Sequence, residues 1–259
     1  MIDYGKTDSD PLEHVHQTLQ TLVQNALSDG LVPICLGGGN DQSAANGMGW
    51  INYWRTRNAP DGGKRKLVTI NVDAHLDVRP LIYNPGEPHS YGLAHSGSPF
   101  LQLVEATSGV EDFKLIEFAS QGQQCAAAHV DYVIQHGGQI VWLSELGEPH
   151  QSRCIRNNSS GAVKRLRQIL EQCIETDSRV FFSFDMDAIC ASDCPGVSCP
   201  SPIGLTASEA LGLCYEAGKC PMVDLMDLSE FNPRIESSQT GRLLINMIYH
   251  FLLGYAERP

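Results

Sequence analysis

The chain has 259 residues, with 18 basic against 30 acidic ones and a formal net charge of −12. So negative a surface repels nucleic-acid backbones and anionic lipid, and the basic run at 64–66 is too short to offset it, so we predict neither nucleic-acid nor membrane binding. No segment has the apolar length of a membrane span or a signal peptide, and we expect a cytoplasmic protein.

Six short apolar runs alternate with segments of helical periodicity. Predicted strands lie at 31–36, 67–72, 113–118, 139–143, 179–184 and 223–228, and predicted helices at 11–29, 122–136, 160–175, 206–218 and 238–256. Thr206 and Glu209 form a capping box for the fourth helix. Continuous apolar strands are typical of sheets covered on both faces. We therefore predict an α/β fold in one domain, 1–259, with three α/β/α layers around a central, mainly parallel sheet.

A long polar stretch, 78–99, follows the second predicted strand. Its Pro, Gly, His and Ser content is typical of a functional loop. His89 and His95 within it are candidates for proton transfer, or are plain surface histidines.

Acidic residues follow two of the predicted strands. Asp73, His75 and Asp77 alternate directly after the second run, and Asp185 and Asp187 repeat the device after the fifth. Ligands bind at the carboxyl edge of such sheets. Four carboxylates gathered there would repel one another unless cations neutralise them, and mixed carboxylate and imidazole ligands suit two manganese-like ions. The alternative is that these Asp residues only form turns or cap helices.

These segments resemble the ureohydrolases, a family that includes arginase, agmatinase and formiminoglutamase and that hydrolyses C–N bonds with a binuclear manganese centre. The resemblance covers most of the chain and rests on Gly37-Gly-Gly-Asn40, Asp73-Ala-His-Leu-Asp77, Ser183-Phe-Asp-Met-Asp187 and Glu230-Phe-Asn-Pro233. Three further segments are most similar to formiminoglutamases: 78–80, 96–100 and 195–200.

The resemblance implies an arginase-like fold and two Mn²⁺ ions per subunit. Asp73 and Asp185 would bridge the ions, Asp77 would complete one site, and His75 with Asp187 would complete the other. Asn40 stands where the family has a histidine ligand. Its carbonyl oxygen can bind a cation more weakly than an imidazole. Alternatively, Asn40 only tolerates a left-handed turn after the three glycines.

By the same resemblance a water shared by the two ions would be the nucleophile. Asp77 would pass a proton to the leaving amine, and Glu230 would pair with the amidinium group unless it caps a helix or pairs with Arg234. Arg79 would bind an anionic substrate tail, or else anchor its loop by pairing with a neighbouring Asp. Ser96 and Ser98 are predicted to hydrogen-bond the substrate.

We therefore expect a manganese-dependent hydrolase that converts N-formimino-L-glutamate into L-glutamate and formamide in histidine breakdown. Its partner would be a small amidine or amino-acid substrate, and the family resemblance implies a homo-oligomer. The alternatives are an arginase, agmatinase or guanidino-acid hydrolase, or a catalytically impaired relative that keeps the fold for binding. Family members usually carry a first strand and helix before the segment matching 31–40. Only thirty residues precede it in this chain, so we expect the family's first strand and helix to be missing.

Overall fold

The computed structural model of the protein describes residues 12–57, 59, 62–82, 92–109, 112–147 and 160–259. Strands and helices alternate along these residues. The strands are β1 Ile34–Leu36, β2 Lys66–Val72, β3 Asp112–Ser120, β4 Gln139–Trp142, β5 Arg179–Asp185 and β6 Val223–Ser229. The α-helices are α1 Leu12–Ser28, α2 Gln42–Arg55, α3 Pro99–Thr107, α4 Ala127–Gln135, α5 Gly161–Glu175, α6 Ala207–Lys219 and α7 Gln239–Tyr255.

The six strands form one parallel sheet in the order β1-β6-β5-β2-β3-β4. All six predicted strands are present, and the predicted α/β class is confirmed. Because the strands are parallel, their carboxyl ends meet at a single edge. The two acidic motifs follow β2 and β5, which are direct neighbours in the sheet.

Helices cover both faces of the sheet. Phe182 of β5 belongs to the core that packs against α5, α6 and α7, whereas the residue directly before it, Phe181, faces the opposite side and packs against Trp50 of α2. Adjacent strand residues point to opposite faces, so both layers of the core come from the same apolar run. The predicted three-layer architecture is confirmed.

Two helices, α2 and α3, were not among the predicted helices. The face that α2 buries is partly polar and includes Gln42, Ser43 and Asn46. A polar buried face hides the periodicity on which a sequence-based prediction depends. In the predicted helix 122–136, a short 3₁₀ turn at Gly122–Gln124 precedes α4. The capping box of Thr206 and Glu209 forms as predicted.

An ion pair links β5 and β6 at the amino-terminal edge of the sheet, opposite the acidic motifs. Arg179 at the start of β5 pairs with Asp224 at the start of β6, and its Nε donates to Asp224 Oδ2 at 2.8 Å. Trp54 Nε1 donates to the same oxygen at 2.9 Å. This cluster joins α2 to two central strands at the edge away from the acidic motifs. No helix in the described part of the chain is long and apolar enough to cross a membrane.

Candidate metal centre

The acidic motifs of β2 and β5 meet above the carboxyl edge of the sheet. Asp73, Asp185 and Asp187 each place an oxygen within 4.8 Å of the others. Asp73, His75 and Asp77 make a second such group within the same distance. The structure therefore brings together the five residues of the two motifs.

The same backbone device orients both motifs. Asp73 Oδ1 accepts a hydrogen bond from the His75 backbone N–H at 2.7 Å, and Asp185 Oδ1 accepts one from the Asp187 N–H at 2.9 Å. Each Asp thus folds the chain after its strand into an Asx turn, which directs the next acidic side chain back toward the sheet. Asp77 takes a left-handed backbone conformation with φ of 43°.

Crowding of buried carboxylates perturbs the titration of the cluster. Burial and the charges of the neighbouring carboxylates raise the pKa of Asp185 and of Asp77 well above the usual Asp range. Burial and the Asp73 charge raise the pKa of Asp187 to about 6. Three carboxyl groups therefore resist ionisation together, as expected of buried carboxylates that face one another.

His75 supplies the nearest positive charge to this cluster. Its Nδ1 lies 3.3 Å from both Asp187 Oδ2 and Asp73 Oδ1, and hydrogen bonds to these carboxylates raise the pKa of His75 to about 12. Burial would raise the pKa of Asp73, but the hydrogen bonds from His75 outweigh it and the pKa falls. Asp187 Oδ1 is buried and has no hydrogen-bond partner in the described structure. A donor set of carboxylates and imidazole with an unsatisfied buried oxygen fits divalent cations.

Asn40 lies beside this cluster and turns its amide nitrogen toward it. Asn40 Nδ2 donates to Asp77 Oδ2 at 2.8 Å, while Asn40 Oδ1 accepts from Ser43 Oγ at 2.7 Å and from Ser229 Oγ at 3.0 Å. An amide NH₂ has no lone pair to offer a cation. In this geometry Asn40 supports the Asp77 carboxylate, and its carbonyl oxygen is occupied by two hydroxyls.

The glycine-rich turn around Asn40 is held by its neighbours. Asn40 is not among the residues with positive φ, so the alternative reading, a left-handed turn position, is wrong. The next residue, Asp41, points to α1, where its Oδ2 lies 2.7 Å from His16 Nε2. Asp41 is therefore engaged away from the cluster.

Glu230 lies at the end of β6 and faces the same cleft. Its Oε1 accepts from the Asn40 backbone N–H at 2.9 Å, and its Oε2 accepts from Ser198 Oγ at 2.6 Å. Like Asp77 it has a left-handed backbone, with φ of 65°. The described structure shows no ion pair between Glu230 and Arg234. The carboxylate is thereby presented to the cleft next to the acidic cluster.

The cleft above the cluster has a volume of about 400 Å³. Arg79 and Ser96 line it, but Ser98 does not. Ser98 is fully buried, and its hydroxyl donates to His95 O at 2.8 Å and accepts from His95 N at 3.1 Å. The assignment of Ser98 to substrate binding is therefore wrong, because its hydroxyl shapes the loop. His95 Nε2 lies 3.1 Å from Pro80 O in the same loop, and His89 lies outside the described residues.

Four lining residues whose side chains carry a polar group or a thiol were missed by the sequence analysis: Gln124, His129, Ser198 and Cys199. Ser198 and Cys199 fall in the segment 195–200, whose resemblance to formiminoglutamases was the available signal. Cys199 Sγ lies 3.8 Å from His75 Nε2. His129 is on α4, where no motif marks it, and burial together with the charge of Arg79 lowers its pKa.

Comparison with known proteins places this arrangement in a family. The sequence pattern of the Arginase family matches residues 1–254. The chain is 28% identical over 227 residues to a formimidoylglutamase of Geobacillus thermodenitrificans, covering 87% of this chain and 60% of that protein. It is 25% identical over 256 residues to one from Staphylococcus haemolyticus, covering 98% and 72%. The chain thus spans about 60% of the length of the first of these curated relatives.

Solved structures agree with the sequence match. The structure of Trypanosoma cruzi formiminoglutamase with Mn²⁺ is 41% identical, with a TM-score of 0.78 over 99% of this chain and 76% of that one. Bacillus subtilis formimidoylglutamase shares the fold at 22% identity, with a TM-score of 0.76 over 98% of this chain and 71% of that one. With the family pattern covering nearly the whole sequence, the chain belongs to the arginase family.

Proposed function

We propose that the protein is a binuclear manganese hydrolase that cleaves N-formimino-L-glutamate into L-glutamate and formamide. One observation carries the proposal: the cleft has the acidic cluster on its floor and an exposed arginine, Arg79, on its wall. The similarity to formiminoglutamases, one of them solved with Mn²⁺, supports it. A role in histidine breakdown and a homo-oligomeric state are part of the same proposal.

The five residues of the two acidic motifs would hold the cations. Asp73 and Asp185, which lie at the carboxyl ends of neighbouring strands, would hold the ions together with Asp77, His75 and Asp187. His75 must give up its proton to bind, since a metal ligand needs the free imidazole lone pair. When bound, such ions supply a water of lowered pKa and positive charge near the reacting carbon.

Two carboxyl groups of the chain would then handle the substrate. Asp77, whose Oδ2 accepts a hydrogen bond from the Asn40 amide, would take up a proton and pass it to the departing nitrogen. Glu230 can accept hydrogen bonds from the planar amidinium, because Ser198 and the Asn40 N–H fix its orientation toward the cleft. Asp77 would thus transfer the proton, and Glu230 would bind the positively charged amidinium group of the substrate.

Arg79 would select a substrate with carboxylates. Its side chain crosses Gly97, where a Cβ would lie 2.7 Å from Arg79 Cδ, so the glycine makes room for it. Among the described residues no carboxylate lies within ion-pair distance of Arg79, and the alternative in which it anchors its loop on a nearby Asp gains no support. A guanidinium with no ion pair among the described residues favours the dicarboxylate formiminoglutamate over agmatine, which has no carboxylate, and over arginine, which has one carboxylate beside an ammonium group. Ser96 would add a hydrogen bond from the same wall.

One observation favours a second candidate, a catalytically impaired relative. Asn40 presents a donor to the cluster at the position where the family resemblance implies a histidine ligand. Such a relative would hold less metal and turn over no amidine. The retained carboxylates weigh against it, because a buried acidic cluster without cations only destabilises the fold.

The test is glutamate release from N-formimino-L-glutamate by protein reconstituted with Mn²⁺, with arginine and agmatine in parallel and a chelated control. We expect metal-dependent glutamate formation from formiminoglutamate alone. Arg79→Leu should raise KM for this substrate at least tenfold and leave the Mn²⁺ content unchanged. The matched control is Arg57→Leu, which removes an equal charge from a side chain that packs over Tyr53 outside the cleft. No turnover of any substrate would favour the impaired relative, and equal effects of the two variants would refute the role of Arg79.

A further inference from the structure

A row of polar side chains crosses the sheet beneath the acidic cluster. Asp227 of β6, Ser183 of β5, Asn71 of β2 and Glu117 of β3 are neighbours in register, and each is fully buried. We call these four residues the inner polar row. Because side chains alternate along a strand, Asn71 and Ser183 share a face with Asp73 and Asp185, two residues further on. The row therefore lies one layer below the acidic cluster.

Asn71 connects this row to the cluster. Its Nδ2 donates to Asp73 Oδ2 at 3.2 Å and to Glu117 Oε2 at 2.9 Å. Its Oδ1 is buried and has no partner in the described structure. Turning the amide over would place that oxygen against two carboxylates, so the two acceptors together determine which way Asn71 faces.

Glu117 is poorly explained by folding alone. It is fully buried, its Oε1 has no hydrogen-bond partner among the described residues, and Asn71 supplies the hydrogen bond that Oε2 accepts. A buried carboxyl with so few partners destabilises a sheet that an apolar residue would fill well. At the other end of the row Asp227 has a donor outside the sheet, since Asn46 Nδ2 of α2 binds it at 2.9 Å.

We propose that Glu117 is a positioning residue for the metal centre, which acts through Asn71 to fix the orientation of the Asp73 carboxylate. Asp73 Oδ1 is oriented by the His75 N–H, and Asn71 orients the second oxygen, Oδ2. A carboxylate that would hold cations must present its oxygens in a set direction, so loss of one constraint weakens cation binding. The inference rests on the metal centre proposed above, and not on the identity of the substrate.

The experiment is a Mn²⁺ titration of the metal-stripped full chain, followed by the electron paramagnetic resonance signal of free Mn²⁺. Glu117→Leu removes the acceptor and should raise the Mn²⁺ dissociation constant about tenfold. Glu117→Gln keeps an acceptor oxygen for Asn71 and should stay within about threefold of the parent chain. Thr69→Val is the matched control: Thr69 is fully buried on β2, one layer deeper, and its hydroxyl has no partner in the described structure. It should not alter Mn²⁺ affinity.

A double-mutant cycle tests whether Glu117 acts through Asn71. Asn71→Ala should itself weaken Mn²⁺ binding about tenfold, and Asn71→Ala/Glu117→Leu should weaken it no further, because the link is already gone. Asn71→Ala also carries the test if Glu117→Leu does not fold. Parent-like affinity in Glu117→Leu or Asn71→Ala, equal losses in the Gln and Leu variants, or additive losses in the double variant would overturn the inference. A parent chain that binds no Mn²⁺ would instead refute the proposed function, and this inference with it.

Discussion

Replacing Asp185 by Asn should have opposite effects on stability with and without metal. Asp185 is buried between the charges of its neighbours, which, together with burial, raise its pKa well above the usual range. Asn keeps the oxygen that accepts the Asp187 N–H but carries no charge. The metal-free Asp185→Asn protein should therefore be more stable than the parent, whereas the gain in stability on adding Mn²⁺ should largely disappear.

The size of the effect follows from the geometry. Two unit charges 4.8 Å apart, the outer limit among Asp73, Asp185 and Asp187, repel by about 3 kcal/mol at an effective dielectric constant near 20. Part of the new amide has no hydrogen-bond partner, and this cost offsets some of the relieved repulsion. We therefore expect the free energy of unfolding of the metal-free variant to exceed that of the parent by about 1–3 kcal/mol at neutral pH. Since the folded-state pKa of Asp185 lies above its unfolded value of 3.8, the penalty in the parent grows as pH rises from that value. The advantage of the variant should fade as pH falls toward it.

Urea unfolding of the two proteins, in chelator and in excess Mn²⁺, measures both effects. Asp224→Asn serves as the control, because it removes an acidic charge that Arg179 and Trp54 need at the other edge of the sheet. That variant should lose about 3 kcal/mol with or without metal. Lower stability of metal-free Asp185→Asn would refute the reasoning, and would mean that the acidic cluster supports the fold rather than a cation.

Three further outcomes are expected. Asn40→His should raise the Mn²⁺ content measured by metal analysis, because an imidazole lone pair replaces the NH₂ that faces Asp77. An unchanged Mn²⁺ content would mean that residue 40 does not contact the metal. Mn²⁺ affinity should be lower at pH 5.5 than at pH 7.5, because protons compete with the cation at its ligands: His75 is protonated across this range in the metal-free protein, and Asp187 also takes up a proton below about pH 6. Equal affinities at the two pH values would contradict a ligand role for both residues. Phe182→Ala should lower the free energy of unfolding, measured by urea unfolding, by about 3–5 kcal/mol, since the ring is fully buried in the core. A loss under 1 kcal/mol would show that neighbouring side chains fill the cavity.

The sequence predicted the sheet and the acidic motifs well because both are local signals. An apolar run followed by alternating Asp residues is visible in a few consecutive residues, as at Asp185 and Asp187. The register between strands is not local, so the pairing of Asn71 with Glu117 could not be read from either run alone. The residue type was also a poor guide at Ser98, because its hydroxyl donates a hydrogen bond to the His95 carbonyl in its own loop.

Two residues at the cleft have a positive φ, the backbone region that glycine adopts most readily. Asp77 and Glu230 have φ of 43° and 65°, where a Cβ costs about 1–2 kcal/mol. Local preference alone would favour glycine at both positions, and for folding it would be the easier choice. Carboxylates occupy both positions against that preference, as the roles proposed for Asp77 and Glu230 require. A chain kept only for its fold would be free to give them up.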